Sequence, residues 1–372
     1  DTGAKVSAGH GNNIHMNRVS PIMHAFGFLS FGHYGDVPGT ATRSASDMIL
    51  QSIDLAQGAD ELGVNGAYFR VHHFARQAAS PMPLLSAIAA RTQRIEVGTG
   101  VIDLRYENPL QLAEEAAALD IIAGGRIALG MSRGSPEPAL RGYEAFGYTG
   151  SEDPRGADIA REKFALFLEA IDGNGIAPAD PQQYGPGVHL PIEPRSATLR
   201  DHSWWGSASA ASAEDTGRLG LNLMSSTLLT EADGRPFAEL QHEQILAFRA
   251  AYQAAGHTGA PRVSVSRSVF PLMNETDHAY FGLRGQDSGD QIGIIDGMRS
   301  TFGKTYAAEP DVLIEQLKRD PAVMAADTLM LTIPNQLGPE YNLHVLESFA
   351  KHVAPGLGWK PNFDGPVQGV AI

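Results

Sequence analysis

The sequence predicts an α/β fold, a (β/α)8 barrel with insertions after strands 4 and 7. From Met23 onward, eight short apolar runs alternate with segments whose apolar residues recur three and four positions apart, as amphipathic helices require. The length of 372 residues suits a barrel that carries insertions. A doubly wound open sheet is the alternative fold, but no Gly-x-Gly-x-x-Gly turn follows the first predicted strand.

The predicted strands are short apolar runs, at 24–29, 66–71, 95–101, 127–130, 202–206, 221–224, 262–269 and 328–332. The first predicted helix begins at a cap formed by Ser46 or Asp47 and ends at Gly63. Pro109 begins the third, which Gly124 ends. The other predicted helices span 82–91, 160–171, 212–219, 237–255, 310–318 and 341–352.

Three segments lie outside this alternation. Residues 173–197 are rich in proline and glycine, which argues against both helix and strand. Residues 274–309 read as a long loop that forms a lid, and both segments are expected on the βα side of the barrel. Residues 1–15 form an arm outside the fold, either a cloning remnant before a natural start at Met16 or a native flexible terminus. Residues 16–372 form a single domain.

Composition excludes several classes of function. The net charge of −14 argues against binding to nucleic acid or to an anionic membrane, although local arginines can still bind an anionic cofactor. The absence of cysteine excludes disulfides, thiol nucleophiles and cysteine–metal sites. No run of 18 apolar residues and no signal peptide are visible, so a cytoplasmic protein without a membrane span is expected.

A lone arginine follows the fourth predicted strand, within Ile-Ala-Leu-Gly-Met-Ser-Arg-Gly at 127–134. A guanidinium just past the end of a buried strand is costly unless an anion meets it. Arg133 therefore either binds a phosphate or clamps a neighbouring carboxylate. After the fifth strand, the small residues 206–213 lead into a helix and form either an anion cradle or an ordinary serine cap. Together with Arg133, this turn favours a phosphate site.

Two adjacent histidines, His72 and His73, end the second predicted strand. Because successive strand residues point to opposite faces, only one histidine faces the barrel mouth. It is either a catalytic or cofactor-contacting group that titrates near neutrality, or a structural histidine. A metal site is disfavoured because no carboxylate–histidine cluster accompanies the pair. Gly98 and Gly100, in the third strand, indicate close approach of a flat ligand, an unusual peptide bond or a simple bulge.

These motifs resemble the luciferase-like flavin-dependent monooxygenase superfamily, which includes bacterial luciferase. The resemblance is densest from Phe26 to Tyr148 and continues weakly to about Leu357. No single motif is decisive, but their order and spacing are together highly specific. The motifs are Gly-Ala-Tyr-Phe-Arg-Val-His-His-Phe at 66–74, residues 94–103 with Asn108-Pro109, and Leu-Asp-Ile-Ile-Ala-Gly-Gly-Arg at 119–126 continuing to Gly134.

The resemblance implies a barrel that binds diffusible reduced FMN, forms a flavin peroxide with dioxygen and oxygenates a small, largely apolar substrate. It assigns His72 to catalysis, and Arg133 to the flavin phosphate. Gly100 and Val101 correspond to a non-prolyl cis peptide under the flavin ring. Further residues that it places beside the cofactor are Ser132, Gly206, Ser207, Ala208 and Ser209, and beside the substrate Asn108 and His73.

Three residues depart from luciferase: Val71 replaces a glutamate, Ser132 a cysteine and Asn108 a histidine. These departures weaken any expectation of light emission and leave the flavin site intact. The resemblance also implies a separate flavin reductase as a transient partner and a homodimer packed through the helices after strands one to three. Two alternatives are an oxidoreductase of the same superfamily that transfers hydride with the deazaflavin F420, and a non-catalytic flavin-binding protein.

Overall fold

All eight predicted strands form and close into a parallel barrel surrounded by helices, which confirms the predicted fold class. The computed structural model describes residues 23–286, 289–295 and 298–365. The predicted N-terminal arm, residues 1–15, lies outside these ranges.

The strands are numbered in chain order, and those outside the barrel have two to five residues each. They are β1 (Ala25–Ser30), β2 (Gly66–Phe69), β3 (Glu96–Thr99), β4 (Ile102–Asp103), β5 (Ile127–Ser132), β6 (Ala177–Pro178), β7 (His189–Leu190), β8 (Ser203–Ser207), β9 (Asn222–Ser225), β10 (Leu228–Leu229), β11 (Val263–Pro271), β12 (Gln291–Ile295), β13 (Met298–Phe302), β14 (Thr305–Ala308) and β15 (Thr328–Ile333).

The α-helices range from single turns to helices of five turns. They are α1 (Ala45–Glu61), α2 (Pro81–Arg91), α3 (Pro109–Ala123), α4 (Ala157–Ile171), α5 (Pro181–Tyr184), α6 (Ala210–Arg218), α7 (Phe237–Ala254), α8 (Glu275–Gln286), α9 (Pro310–Lys318), α10 (Pro321–Ala325) and α11 (Gly338–His352). None of the described helices is long and apolar enough to cross a membrane.

The barrel runs in the order β1-β2-β3-β5-β8-β9-β11-β15, with every neighbouring pair parallel. β9 joins β11 through the pairing of Leu223 with Val263, and β15 returns to β1 with Thr328 opposite Ala25. All six residues of β1 are buried, because one face lies in the barrel and the other beneath the helices. The carboxyl ends of the eight strands therefore meet at one edge.

The start of the first helix differs from the prediction. Ser44 caps α1, not Ser46 or Asp47. The Ser44 hydroxyl accepts the N–H of Asp47 at 3.1 Å, and the Asp47 carboxylate accepts the N–H of Ser44 at 2.9 Å. This reciprocal pair is a capping box, so Asp47 is the third residue of the helix. By contrast, α3 begins at Pro109 and ends before the left-handed Gly124 (φ +62°), as predicted.

The structure of both insertions also differs from the predictions. Within 173–197, β6 and β7 pair as an antiparallel hairpin around the one-turn helix α5. The segment connects α4 to β8, so it lies at the amino ends of the strands and not on the βα side. Residues 274–309 hold α8 and three strands, of which β14 extends the sheet beside β11. Such short strands carry too little periodicity for a sequence pattern to reveal them.

A buried ion pair crosses the barrel interior below its centre. The Arg262 guanidinium donates to Glu96 Oε2 at 2.5 Å, and the Tyr68 hydroxyl donates to Glu96 Oε1 at 2.7 Å. Arg262 also lies 3.6 Å from an Asp327 oxygen and 4.7 Å over the Trp204 ring. Because these residues belong to or adjoin five different strands, the network ties opposite walls of the barrel together.

Candidate functional site

A cavity of about 440 Å³ opens at the carboxyl edge of the barrel. Its walls are formed by residues at or just past the ends of β2, β3, β5, β8 and β9. A further wall comes from the loop at 133–156, between β5 and α4. No described residue of the segment 274–309 lines the cavity, so the described part of this segment does not form the expected lid. Barrel enzymes carry their active sites at this edge.

The floor of the cavity is apolar. Leu29, Val101, Met224 and Met330 line it, and they pack on a small cluster inside the barrel that includes Trp204. Such a floor gives an apolar or aromatic ligand a dry contact surface.

His72 lies on the cavity wall with only 8% of its surface exposed. Its backbone N–H donates to the Ala78 carbonyl at 2.9 Å, which fixes the chain after β2. Burial, followed by the positive charge of Arg70, lowers the pKa of the His72 imidazole to about 4. The histidine is therefore neutral at physiological pH, and the expectation that it titrates near neutrality is wrong.

Arg133 also lines the cavity, and its side chain is exposed. No carboxylate among the described residues pairs with it, so the structure does not support the carboxylate clamp that the sequence left open. The preceding turn is closed by the Ser132 hydroxyl, which accepts the N–H of Gly134 at 3.1 Å. Arg133 thus borders the cavity without a carboxylate partner in the described chain.

The opposite wall is rich in hydroxyl groups. Ser207 lies 3.0 Å, oxygen to oxygen, from Ser212, and the Ser209 hydroxyl caps α6 by accepting the N–H of Ser212 at 3.3 Å. The chain after β9 adds further hydroxyls through Ser226, Thr227 and Thr230. The sequence reasoning missed this last group, although its position just past a predicted strand end could have indicated it.

The start of α6 has free backbone donors within the described chain. The N–H of Ala210 donates to Glu231 Oε1 at 2.8 Å, whereas the N–H groups of Ser209 and Ala211 have no partner among the described residues. Ser209 is an ordinary helix cap that also borders the cavity. The anion cradle stays a prediction, in which a phosphate would meet hydroxyls, backbone amides and the positive end of a helix.

Two small residues keep the middle of the cavity open. A Cβ atom on Gly206 would lie 3.1 Å from the Val101 side chain, and one on Gly100 would lie 3.0 Å from Leu29. The peptide bond between Gly100 and Val101 is cis, as the resemblance implies. Gly98 lies against the Ala128 carbonyl, where no side chain would fit.

The structure does not place His73 and Asn108 on the cavity wall. The His73 ring stacks on Tyr106 with centroids 4.1 Å apart, and its Nε2 atom is buried without a hydrogen-bond partner in the described chain. Asn108 is exposed and caps α3, since its side-chain oxygen accepts the N–H groups of Leu110 and Gln111 at 3.0 and 3.2 Å.

Several charged residues of the cavity were missed by the sequence reasoning, among them Arg70 and Glu137. Arg70 follows β2, and Glu137 lies in the loop after β5. Burial raises the pKa of Glu137 to about 6, and its Oε2 atom has no hydrogen-bond partner among the described residues. No sequence pattern marks Glu137, because an irregular loop brings it to the site.

Comparisons with known proteins agree with this geometry. A family model described as luciferase-like monooxygenase matches residues 24–280. The chain is 36% identical to 4-hydroxyprotoasukamycin monooxygenase of Streptomyces nodosus subsp. asukaensis, over 32% of this chain and 30% of that protein. It is 34% identical to the oxygenase component of the flavin-dependent trigonelline monooxygenase of Acinetobacter baylyi, over 23% of this chain and 24% of that protein. The chain thus spans less than a third of these two relatives.

The fold is similar to that of a solved oxygenase. The structure is the oxygenating constituent of 3,6-diketocamphane monooxygenase from Pseudomonas putida, in complex with FMN. The TM-score is 0.64 at 17% sequence identity, and the superposition covers 90% of this chain and 98% of that one. At this identity the similarity supports the shared fold.

Proposed function

Because the chain belongs to the luciferase-like monooxygenase family, we propose that it is a flavin-dependent monooxygenase that acts on a small organic substrate with a largely apolar body. One atom of dioxygen enters the substrate and the other leaves as water, with two electrons taken from reduced FMN. The oxidised flavin returns to a separate reductase. The FMN assignment is supported by the flavin-dependent relative and by the FMN complex of the structural neighbour.

The observation that carries this proposal is a single cavity with an anion-binding end and an apolar floor. Arg133, without a carboxylate partner in the described chain, and the hydroxyls of Ser207 and Ser209 offer donors for a phosphate. Gly100, Val101 and Gly206 leave room for a flat ring. The residues present therefore fit FMN, and Ser132 and Ala208 complete the cofactor-binding set.

The protein residues supply binding, protection from water and proton handling, whereas the bound reduced flavin supplies the electrons that activate dioxygen. Leu29, Val101 and Met330 exclude water from the floor, which protects reactive oxygen chemistry from hydrolysis. His72 is neutral, so one ring nitrogen can donate a hydrogen bond and the other can accept one. Its expected role is to handle protons through these hydrogen bonds during turnover, because an imidazole with a pKa of about 4 does not stay protonated at neutral pH.

The proposal is tested by comparing cofactors on the full chain. We expect reduced FMN to bind and oxygen consumption to exceed that of free flavin when a substrate is found. Tight binding of F420, with no binding of FMN and no oxygen uptake, would instead assign the protein to hydride transfer. Substitution His72→Ala should retain FMN binding and lose turnover. Absence of turnover in both forms, across a broad range of substrates, would favour a flavin-binding protein.

Two partners belong to this proposal. A reductase is expected because the trigonelline relative is an oxygenase component. A second copy of the chain is expected on the helices after the first three barrel strands, where α1 exposes Ile49 and Leu50 and α3 exposes Ile121 and Ile122. Light scattering that gives a monomer mass would contradict the dimer.

A further inference from the structure

Arg70 is a half-buried arginine on the cavity wall with no bonded counter-ion. It follows β2 two residues before His72, and its guanidinium lies 4.6 Å from the centroid of the Phe31 ring. The side chain forms no hydrogen bond and no ion pair with any described residue. Burial lowers the pKa of Arg70, which reflects the unfavourable removal of its charge from water.

Two other arginines of the same cavity, Arg105 and Arg141, are compensated by carboxylates. Arg105 forms a bidentate pair with Asp103, at distances down to 2.5 Å, and donates to two backbone carbonyls. Arg141 pairs with Glu144 at 2.7 Å. The negative charge of Glu137 acts to raise the pKa of Arg70, but the two side chains form no ion pair. The Oε2 atom of Glu137 is itself buried without a hydrogen-bond partner among the described residues.

The contact with Phe31 leaves the donors of Arg70 unused. A ring stacked on a guanidinium covers its face and does not accept the N–H bonds that lie in its plane. Those donors form a fixed fork that matches the two oxygens of a carboxylate. The shape of the unsatisfied group therefore indicates an anion with two oxygens in one plane.

Arg70 is separate from the proposed phosphate end. It follows β2, whereas the hydroxyl wall follows β8, three strands further around the barrel. Its neighbours are the neutral histidine His72, the ring of Phe31 and, without an ion pair, the carboxylate of Glu137. His33, whose pKa is also lowered by burial and by the charge of Arg70, adds a second neutral imidazole nearby.

We propose that Arg70 binds a carboxylate of the substrate, so that the substrate class is an organic acid whose apolar body rests on the cavity floor. This inference rests on the proposed function and sharpens it, because it adds one anionic group to a substrate that is otherwise largely apolar. Arg70 acts as a specificity-determining residue, distinct from the residues assigned to the cofactor.

The test measures binding, so it does not need the natural substrate. Calorimetric titration of the full chain, with and without oxidised FMN, compares acetate, hexanoate and benzoate with the corresponding amides. The variants are Arg70→Met and Arg70→Lys, with Arg161→Met as the matched control. Arg161 lines the same cavity but is exposed, and it too has no ion-pair partner in the described ranges, so the control removes the same charge from a solvated position.

We expect at least one carboxylate to bind about tenfold more tightly than its amide. Arg70→Met should abolish that preference, Arg70→Lys should keep part of it, and Arg161→Met should keep it fully. FMN affinity should be unchanged in all three variants. Nuclear magnetic resonance titration should show a higher pKa for His72 in Arg70→Met, because Arg70 lowers it in the native protein.

Two outcomes would overturn the inference. If no carboxylate binds in preference to its amide, the cavity has no such site. If Arg70→Met weakens FMN binding and leaves the carboxylate preference intact, Arg70 serves the cofactor. Failure of the proposed function gives a different result, namely no FMN binding by the native chain, while the carboxylate preference can still be measured without FMN.

Discussion

Arg70 and Arg133 are among the arginines of the cavity wall that have no carboxylate partner in the described chain, and we assign these two to different anions. For Arg133, the substitution Arg133→Ala should weaken FMN binding about tenfold to a hundredfold, because a charge-assisted phosphate contact is lost. Fluorescence titration with FMN measures the change. The melting temperature should stay the same, since the exposed side chain supports no other residue, and unchanged FMN affinity would refute the assignment.

The buried imidazole of His72 makes stability depend on pH. Its pKa is about 4 in the folded protein and ordinarily 6.5, so between these values the unfolded chain binds a proton that the folded protein does not. The contribution of His72 to the free energy of unfolding is therefore fully present above pH 6.5, and it is lost as the pH falls towards 4. At pH 5 the loss is about 2 kcal/mol.

The variant His72→Asn, which does not titrate, should show a smaller decrease in melting temperature between pH 7.5 and pH 5 than the native protein. Thermal melts at a series of pH values check this expectation. Identical pH dependence in the two proteins would mean that the histidine is not held in its neutral form.

At the scale of elements, the start of α6 carries a negative charge close to the proposed phosphate. Glu231 accepts the N–H of Ala210 at 2.8 Å and that of the Gln244 side chain at 3.0 Å. Glu231→Gln keeps an acceptor for Ala210 and removes the charge, and FMN should then bind about two- to fivefold more tightly at low ionic strength. Riboflavin, which lacks the phosphate, should bind with unchanged affinity. An equal gain in affinity for FMN and for riboflavin would contradict repulsion between Glu231 and the phosphate.

The start of α3 allows a test of Asn108, which the resemblance places in the substrate region. In the structure its side chain caps the helix and is exposed. Asn108→Ala should lower the free energy of unfolding by about 1 kcal/mol, because two backbone donors lose their acceptor. Binding of FMN and of carboxylates should not change. A selective loss of ligand binding without loss of stability would support the substrate role instead.

Elements with strong periodicity could be predicted from the sequence, and short elements could not. The barrel strands are continuous apolar runs because both of their faces are buried, so β1 and β15 were located within a residue or two of their ends. Each strand of the β6–β7 hairpin has only two residues, and a strand of that length is too short to show a periodic sequence pattern. The capping box at Ser44 was missed because several capping residues follow one another, and only geometry selects among them.

At the scale of the whole molecule, the ion network of Arg262 and Glu96 holds the barrel at the end away from the cavity. Arg262→Met should lower the free energy of unfolding by about 3–5 kcal/mol, because Glu96 would remain buried without its partner. Chemical denaturation measures the loss. The double variant with Glu96→Gln should recover part of it, and FMN affinity should be unaffected. Additive losses in the double variant would contradict a coupled pair.

The candidate site could be predicted only where it coincides with strand ends. His72 and the turn that holds Ser207 were found because they follow predicted barrel strands, whereas Val101 and Ser132 were assigned by the family resemblance. All four residues line the cavity. Glu137 was not found, since the loop at 133–156 has no period that fixes its path. The protonation state of His72 could not be predicted from the sequence either, because its lowered pKa arises from burial and from the charge of Arg70 in the folded protein.

The pairing of β1 with β15 has a consequence for synthesis. The first barrel strand can complete its pairing only with a strand that begins about 300 residues later. At translation rates of about 5–20 residues per second, a nascent chain would wait roughly 15–60 s between the appearance of the two strands. During that time one edge of β1 has no partner, and unpaired strand edges promote aggregation. Slower translation should therefore lower the soluble yield, whereas a chaperone that covers apolar strands should restore it.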